Sequence, residues 1–447
     1  MSVSASLLRS ALTAALAGFL FGFDTVVISG AEQRIQSLWV LSDLAHGVAV
    51  SMALWGTVVG ALTGAWPADR FGRRITLTCI GVLYFVSALW SALAHGPWDF
   101  MLARFVGGIG IGVSTVVAPL YISEIAPAAW RGRLTGLFQF NIVLGILIAY
   151  LSNAWLKGIG AADWRWMLGI AAAPALIYTL LCLGIPESPR WMTVFRRRAE
   201  AATAILRRID PRLSQSDAQA QVASYASAEM PQPGNLLRLW HAGLAAPVRM
   251  AFLIAFFNQL SGINAVLYFA PRIFQLTGLG TRTAMLQSIG IGITNLLFTL
   301  LGLQFIDRLG RRSLMLIGSI GYIVSLGACA WAFLSAHLLI VPWCIFAFIA
   351  AHAIGQGAVI WVFIAEIFPN AFRAAGQSFG SATHWVFAAL VTLVFPWLVA
   401  RIAPGQVFLI FAGLMVLQLI WVLWRMPETR GVPLEQLQRS LGTARRV

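Results

Sequence analysis

Two ionisable side chains interrupt apolar runs of this sequence and are candidates for proton chemistry. Asp24 is the one carboxylate in GFLFGFDTVVISG, at residues 18 to 30, and Arg104 lies in another apolar run. A charge in the hydrocarbon core is costly, so such residues usually carry function and have a partner. A buried carboxylate beside an arginine stays ionised, whereas one left desolvated without a partner tends to bind a proton. The two residues could therefore couple proton binding to a movement, or form a permanent salt bridge that fixes packing.

The elements that must position these side chains are membrane-spanning helices. Of the 447 residues, 59% are hydrophobic and only 11% are charged, which is outside the range of soluble globular proteins. A helix needs about 20 apolar residues to cross the hydrocarbon core. Stretches of this kind predict an all-α membrane protein with about twelve transmembrane helices, centred near residues 19, 57, 85, 110, 145, 174, 260, 294, 324, 352, 386 and 415.

The formal charge of +15 indicates membrane orientation. Most of the 31 Lys and Arg residues fall into predicted loops on one side of the membrane. By the positive-inside rule that side is cytoplasmic, and both termini lie on it. We therefore expect a multi-pass protein of the cell inner (plasma) membrane that has the lipid bilayer, and no nucleic acid, as a partner.

This orientation places Asp24 and Arg104 at similar depths. The first span runs outward and Asp24 comes shortly before its outer end, while the fourth span runs inward and Arg104 comes shortly after its outer start. At 1.5 Å of rise per residue, each lies roughly 9 Å below the outer surface. The sequence thus predicts that the two side chains can meet.

The chain contains an internal repeat. GAWPADRFGRR, at 64 to 74, recurs as GLQFIDRLGRR at 302 to 312, and SEIAPAAWRGR, at 123 to 133, recurs as AEIFPNAFRAA at 365 to 375. Repeated halves of six spans place a substrate site near the midplane between them. We predict six-helix domains at 1–185 and 247–427, a cytoplasmic linker with short helices at 186–246 and a cytoplasmic tail at 428–447. The Arg-rich, amphipathic start of the linker is typical of a helix at the membrane interface.

The repeated motifs pair acids with arginines at helix ends. Such pairs can lock one half of a transporter against the other and break when it changes state. The alternative is that they are solvated charges that merely obey the positive-inside rule, which would explain the arginines but not the acids. The predicted cytoplasmic gate comprises Asp69, Arg73, Arg74, Glu124, Arg131, Glu187, Arg190, Asp307, Arg311, Arg312, Glu366 and Arg373.

Amide side chains also recur inside the predicted spans. One or two could be hydrogen bonds between helices. Their number, together with Trp361 and Trp385, instead favours a site for a neutral, polyhydroxylated ligand, because amides both donate and accept and indole faces suit a sugar ring. The amides are Gln139, Asn141, the run NQLSGIN at 258 to 264, and Asn295.

The sequence shows no pattern that predicts catalysis or a cofactor. It has no metal-ligand spacing, phosphate-binding loop or nucleophile elbow. We therefore expect no enzyme activity, no cofactor and no metal.

The motifs GFDTVVISG, DRFGRR, EIAPAAWRGR, PESPRW, NQLSGIN, DRLGRR, EIFPNAFR and PETRG together resemble the sugar porter family of the major facilitator superfamily, over essentially the whole chain. The resemblance implies twelve helices in two six-helix domains that work by alternating access. Asp24 matches the acid of bacterial and plant sugar–proton symporters, where animal glucose facilitators have Asn, and Arg104 matches their span-four arginine. On this resemblance the pair is assigned to proton coupling.

The resemblance also implies a substrate site, with some departures. Asn258 replaces the first residue of a Gln–Gln pair, His352 replaces a cavity Phe, and His384 stands where Asn or Gln is expected. The run GQGA at 355 to 358 departs from the usual Gly–Pro pattern. A His could also titrate near neutral pH and be a second proton-sensitive group. The implied substrate-binding residues are Gln139, Ile146, Asn258, Gln259, Asn264, Asn295, His352, Trp361, His384 and Trp385.

These observations predict a proton-coupled symporter of a hexose or pentose that functions as a monomer, with the sugar and the proton as its small partners. A facilitator without proton coupling and a polyol–proton symporter are the alternatives. A non-transporting sugar sensor is a third class, which usually carries a large cytoplasmic extension.

Overall fold

The computed structural model of the chain describes residues 4–227, 239, 243–369 and 372–432, and every regular element in that part is helical. Most of the predicted tail and part of the predicted linker lie outside the described residues. The α-helices are α1 Ala5–Val27, α2 Glu32–Leu38, α3 Asp43–Thr63, α4 Ala65–Phe71, α5 Arg73–Leu93, α6 Pro97–Ile125, α7 Ala128–Leu156, α8 Asp163–Gly169, α9 Ala172–Gly184, α10 Pro189–Val194, α11 Ala199–Ile209, α12 Gln215–Ser227, α13 Ala245–Leu260, α14 Ile263–Gln275, α15 Thr281–Leu309, α16 Arg311–Leu334, α17 Val341–Ile354, α18 Gln356–Ile367, α19 Arg373–Arg401 and α20 Pro404–Arg425.

Twelve helical segments of the described chain are long and apolar enough to cross a membrane, which confirms the predicted spans. Two of them are interrupted near polar residues: Ala245–Gln275 consists of α13 and α14, and Leu338–Ile367 contains α17 and α18. Large apolar side chains face outward along the spans. Trp98, Trp155 and Trp343, near helix ends, are 80%, 75% and 72% exposed, which is typical of the aromatic belt where a membrane meets water.

The described residues group into two compact units. The first falls within Met1–Thr25, Trp55–Ala149 and Arg165–Pro231, and the second within Val26–Leu54, Tyr150–Trp164 and Gln232–Val447.

The linker contains short helices, but its amphipathic helix has its apolar face covered. Ala202 and Leu206 of α11 are buried in a small cluster with Ala218 and Val222 of α12. An apolar face that packs on a neighbouring helix is not available to lipid, so the expectation of an interfacial helix is wrong for α11. Arg207 and Arg208 lie in the last turn of α11, where their positive charges interact favourably with the negative end of the helix dipole.

In the first unit, one arginine ties the start of α5 to neighbouring helices. Arg73 is 3% exposed, and its Nε and Nη2 donate to the two carboxylate oxygens of Glu124 at 2.9 and 3.0 Å. Its Nη1 donates to Asp69 at 3.1 Å and to the Ala68 carbonyl at 2.9 Å. The backbone N–H of Arg73 donates to Glu187 at 2.9 Å. A bidentate pair of this kind is specific to the planar guanidinium.

The second unit repeats this arrangement at the start of α16. Arg311 donates to the two oxygens of Glu366 at 3.1 and 2.8 Å and to Asp307 at 3.0 Å. Its backbone N–H donates to Glu428 at 2.9 Å. Corresponding residues of the repeated motifs thus occupy corresponding places.

The other predicted gate residues take a smaller part. Arg74 and Arg312 contribute backbone N–H groups to Glu187 and Glu428. In the described part of the chain, no ion pair is present at the side chains of Arg131, Arg190 and Arg373.

Each repeated helix start requires a glycine. Gly72 and Gly310 have φ of +99° and +92°, a region that side chains disfavour. A Cβ on either would also overlap the carboxylate of Glu187 or Glu428. The glycines therefore allow a distant carboxylate to accept from the first N–H groups of the helix, where the helix dipole favours negative charge.

The two carboxylates differ in how deeply they lie. Burial raises the pKa of Glu187 above its ordinary value, although backbone N–H donors oppose the change. At Glu428 burial also raises the pKa, but the N–H groups of Arg430, Arg311, Arg312 and Thr429 outweigh it, so the pKa lies below 4.5. Ionised Glu428 therefore stabilises the folded protein above the ordinary carboxyl range, and this contribution is lost as the pH falls through the folded pKa.

We expect Glu428→Gln to cost about 1 kcal/mol of stability near pH 7, because a neutral amide accepts these N–H groups less strongly. The difference from the unmodified protein should shrink as the pH falls below 4.5. Apparent melting temperatures of the detergent-solubilised protein between pH 4 and 8 would measure this.

Glu187→Gln is the matched control. The pKa of Glu187 is raised in the folded protein, so the unmodified protein loses stability as the pH rises through that pKa and the carboxylate ionises. Glu187→Gln does not ionise, so its stability relative to the unmodified protein should increase as the pH rises. The same pH trend in both variants would contradict the opposite pKa shifts of Glu187 and Glu428.

Candidate substrate and proton site

Asp24 and Arg104 meet, as the depth argument predicted. Arg104 Nη1 donates to Asp24 Oδ1 at 2.6 Å, and Nη2 donates to the backbone carbonyl of Asp24 at 3.1 Å. The two residues are 4% and 2% exposed. A pair so deeply buried is costly to break by removing one partner, because the other is then left as an unpaired charge.

The pair is only half satisfied by the protein. Asp24 Oδ2 and Arg104 Nε are buried, and neither has a hydrogen-bond partner within the described chain. Buried polar atoms are nearly always paired, so such exceptions need a reason. A carboxylate with one oxygen held by arginine and the other open is chemically able to take a proton there.

Close helix packing holds α1 against α7 beside Asp24. A Cβ on Gly22 of α1 would overlap the carbonyl of Ile142 on α7, and one on Gly145 would overlap the carbonyl of Phe19. Small residues let transmembrane backbones approach in this way. These contacts fix the segment of α1 that carries Asp24.

The polar residues of the second unit cluster at two helix breaks. Gly262, with φ of +84°, separates α13 from α14, and Gly355 separates α17 from α18 with ψ of −99°. Interrupted helices free backbone groups at membrane depth and are typical of transport sites. The sequence did not predict either break, although a Ser–Gly pair and a lone Gly inside apolar spans were available signals.

The amides beside these breaks are joined by hydrogen bonds. Asn264 Nδ2 donates to Gln259 Oε1 at 2.7 Å, and Gln259 Nε2 donates to Asn258 Oδ1 at 2.8 Å. Asn258 Nδ2 donates to Gln356 Oε1 at 3.1 Å. The predicted residues Asn258, Gln259 and Asn264 thus form one hydrogen-bonded cluster.

His384 and two tryptophans flank this cluster. Gln259 Nε2 lies 3.2 Å from Nδ1 and 3.1 Å from Nε2 of His384. The ring centroid of His384 lies 5.0 Å from that of Trp361 and 4.7 Å from that of Trp385. Because Gln259 donates, the facing imidazole nitrogen must accept, which a neutral ring can do and an imidazolium cannot.

The remaining predicted residues are less closely joined. His352 Nδ1 lies 2.6 Å from the Tyr322 hydroxyl, and Asn295 accepts from Thr299 at 3.4 Å. Gln139 and Ile146 belong to the first unit. Asn141 donates to the Leu137 carbonyl of its own helix at 2.8 Å, so its amide group is used locally.

The sequence did not identify several buried polar residues. Gln356, Gln418 and Ser319 are fully buried and extend the amide cluster. In the sequence, Gln356 is visible only as part of the departure GQGA, and Gln418 only as an isolated amide in the last span.

A second missed cluster lies elsewhere in the second unit. His46 Nε2 lies 2.6 Å from Glu32 Oε2, and Arg272 donates to Glu32 Oε1 at 3.1 Å. Glu32 and His46 are fully buried. Among the described residues, no group of three or more His, Cys, Asp and Glu side chains could hold a metal ion.

Comparisons with known proteins agree over nearly the whole length. The family model described as sugar (and other) transporter matches residues 10–441. A D-xylose-proton symporter of Escherichia coli K12 is 33% identical, over 96% of this chain and 94% of the relative. An arabinose-proton symporter of Bacillus subtilis is 32% identical over 95% and 93% of the two chains. A glucose transporter of Staphylococcus epidermidis is 35% identical over 96% and 95%.

Solved structures give the same result. The inward open conformation of the xylose transporter XylE from E. coli has a TM-score of 0.86 at 30% identity, covering 97% of this chain and 99% of that chain. The likeness therefore extends from the sequence motifs to the arrangement of the helices, and this chain belongs to the sugar transporter family of the major facilitator superfamily.

Proposed function

We propose that this protein carries a hexose or pentose together with a proton into the cell by alternating access. The observation that carries the proposal is the buried Asp24–Arg104 pair, in which Asp24 Oδ2 has no partner within the described chain. The named relatives that are proton symporters of xylose and arabinose support it.

The proposed coupling follows from the energetics of the pair. While Arg104 holds Asp24, the carboxylate is stabilised as an anion. If movement withdraws the guanidinium, the desolvated carboxylate favours a proton, and return of Arg104 expels it. One residue would thus bind and release one proton in each cycle.

The amide cluster is proposed as the part of the site that recognises sugar hydroxyls. Asn258, Gln259 and Asn264 provide both donors and acceptors, and the half-buried Trp361 provides an aromatic face. The cluster holds no carboxylate or cationic side chain among its joined residues, which suits a neutral ligand. Asn295, His352, His384 and Trp385 of the second unit are proposed to belong to the same site, and substrate binding by Gln139 and Ile146 of the first unit stays a prediction from the sequence.

We propose that the repeated arginine networks act within each half during transport. The contacts of Arg73 and Arg311 lie inside one unit each, so they would keep helix ends together as rigid bodies. The proposal also includes the cytoplasmic location of both termini, the domain limits at 185, 247 and 427, residence in a bacterial inner membrane, function as a monomer and the absence of catalysis.

We expect Asp24→Asn to abolish proton-driven accumulation of sugar while leaving exchange down a gradient. Asn cannot change its charge, so the coupling step is lost without loss of the pathway. Radiolabelled uptake into vesicles, with and without an imposed proton gradient, separates the two processes.

Asp163→Asn is the matched control, because Asp163 pairs with Lys157 at 3.0 Å outside the proposed coupling site. It should accumulate sugar normally. Accumulation against a gradient by Asp24→Asn would overturn proton coupling at Asp24 and favour a facilitator in which the salt bridge is permanent.

We expect Gln259→Ala and Trp361→Ala each to weaken sugar binding by roughly fivefold to 150-fold, the usual effect of losing 1–3 kcal/mol of polar or stacking contact. Isothermal titration calorimetry of the solubilised protein measures this. Trp343→Ala, at a 72% exposed position near a helix end, is the control and should bind normally. Undiminished affinity in both site variants would exclude this cluster as the sugar site.

A further inference from the structure

We propose that Gln356 and Gln418 are positioning residues that fix which way the amides of the sugar site face. They belong to a chain of hydrogen bonds that starts at the proposed sugar-binding amides and ends at a backbone carbonyl. This inference rests on the proposed function, because it concerns how the site presents donors and acceptors to a sugar.

The chain continues beyond Asn258 into the fully buried interior of the second unit. Gln356 Nε2 donates to Gln418 Oε1 at 2.5 Å, and Gln418 Nε2 donates to Ser319 Oγ at 2.7 Å. Ser319 Oγ donates to the Met315 carbonyl at 2.7 Å. Gln356, Gln418 and Ser319 are each 0% exposed. They lie on three separate helices, α18, α20 and α16.

The bond from Ser319 to the Met315 carbonyl determines which group donates and which accepts in every other bond of the chain. A carbonyl only accepts, so the single hydroxyl hydrogen of Ser319 is used on Met315 and its oxygen must accept from Gln418. Gln418 must then accept from Gln356, and Gln356 from Asn258. Turning one amide over would set two donors or two acceptors against each other, which is costly for fully buried groups.

The fixed direction reaches the proposed site. Asn258 must accept from Gln259, so Gln259 turns its NH₂ group toward Asn258 and His384 and its oxygen toward Asn264. Asn264 then uses an amide hydrogen on Gln259 and keeps its side-chain oxygen for other partners. A site with this polarity selects ligand hydroxyls by where they can donate and accept.

Two departures from the family pattern take part in this chain of hydrogen bonds. Asn258 stands in place of Gln, and Gln356 stands in the run GQGA where a Gly–Pro pattern is usual, and the two side chains are bonded to each other. Proline has no side-chain donor or acceptor, so it could not continue the chain. The two departures are therefore parts of one arrangement.

The test measures sugar affinity and selectivity when the chain is cut far from the site. Gln356→Met is nearly isosteric and leaves Asn258 Nδ2 and Gln418 Oε1 without partners. We expect it to weaken binding of the best monosaccharide by about tenfold, equivalent to 1.4 kcal/mol, and to reduce discrimination between epimers of that sugar. A panel of hexoses and pentoses titrated by calorimetry provides both readouts.

A double-mutant cycle separates positioning from general destabilisation. If Gln356 acts through Asn258, Gln356→Met should change affinity much less in an Asn258→Ala background than in the unmodified protein. Equal effects in both backgrounds would overturn the inference.

Ser319→Ala, which removes only the terminal bond, keeps the test available if Gln356→Met does not fold. Its matched control is Ser288→Ala, since Ser288 is also buried and donates to the carbonyl four residues earlier, but lies outside the chain. We expect a measurable loss of epimer selectivity in Ser319→Ala and none in Ser288→Ala. Identical selectivity in the two would overturn the inference, whereas failure of the unmodified protein to bind any hexose or pentose would instead overturn the proposed function.

Discussion

A polar group in an apolar interior must find a partner or cost several kcal/mol, and most of the functional features of this protein follow from that constraint. Asp24 and Arg104 satisfy one another at 2.6 Å and leave one atom of each without a partner in the described chain. The amides of the second unit satisfy one another in series. The two clusters differ in one respect: the ion pair keeps an acceptor atom without a partner, whereas each amide nitrogen and oxygen inside the chain of hydrogen bonds has one.

That difference suits the tasks proposed for the two clusters. A proton site must change its charge during the cycle, so an incompletely satisfied carboxylate is useful there. A sugar site must keep a constant pattern of donors and acceptors, so amides locked by a buried network are useful. Gln356 and Gln418 are the most deeply buried members of that network, and neither gives a signal in the hydrophobic periodicity or the charge pattern of the sequence.

The same constraint applies at the starts of α5 and α16, where it is met by two equivalent sets of bonds. Arg73 and Arg311 make equivalent sets of bonds, and Gly72 and Gly310 admit equivalent carboxylates. The repeat preserves these bonds but not their environment, since the pKa of Glu187 is raised and that of Glu428 is lowered. The two halves of the repeat therefore share bonding geometry more closely than burial.

The sequence by itself determined the number of spans, the repeat and the family, because hydropathy, charge placement and motif spacing are read along the chain. It also brought Asp24 and Arg104 to one depth, since topology and helix rise fix depth. It did not predict the helix breaks at Gly262 and Gly355 or the covered face of α11. Nor did it predict that Asn258 and Gln356, 98 positions apart, share a hydrogen bond. Only the tertiary structure decided those contacts, because they depend on how each helix is rotated and interrupted, and hydropathy carries no record of either.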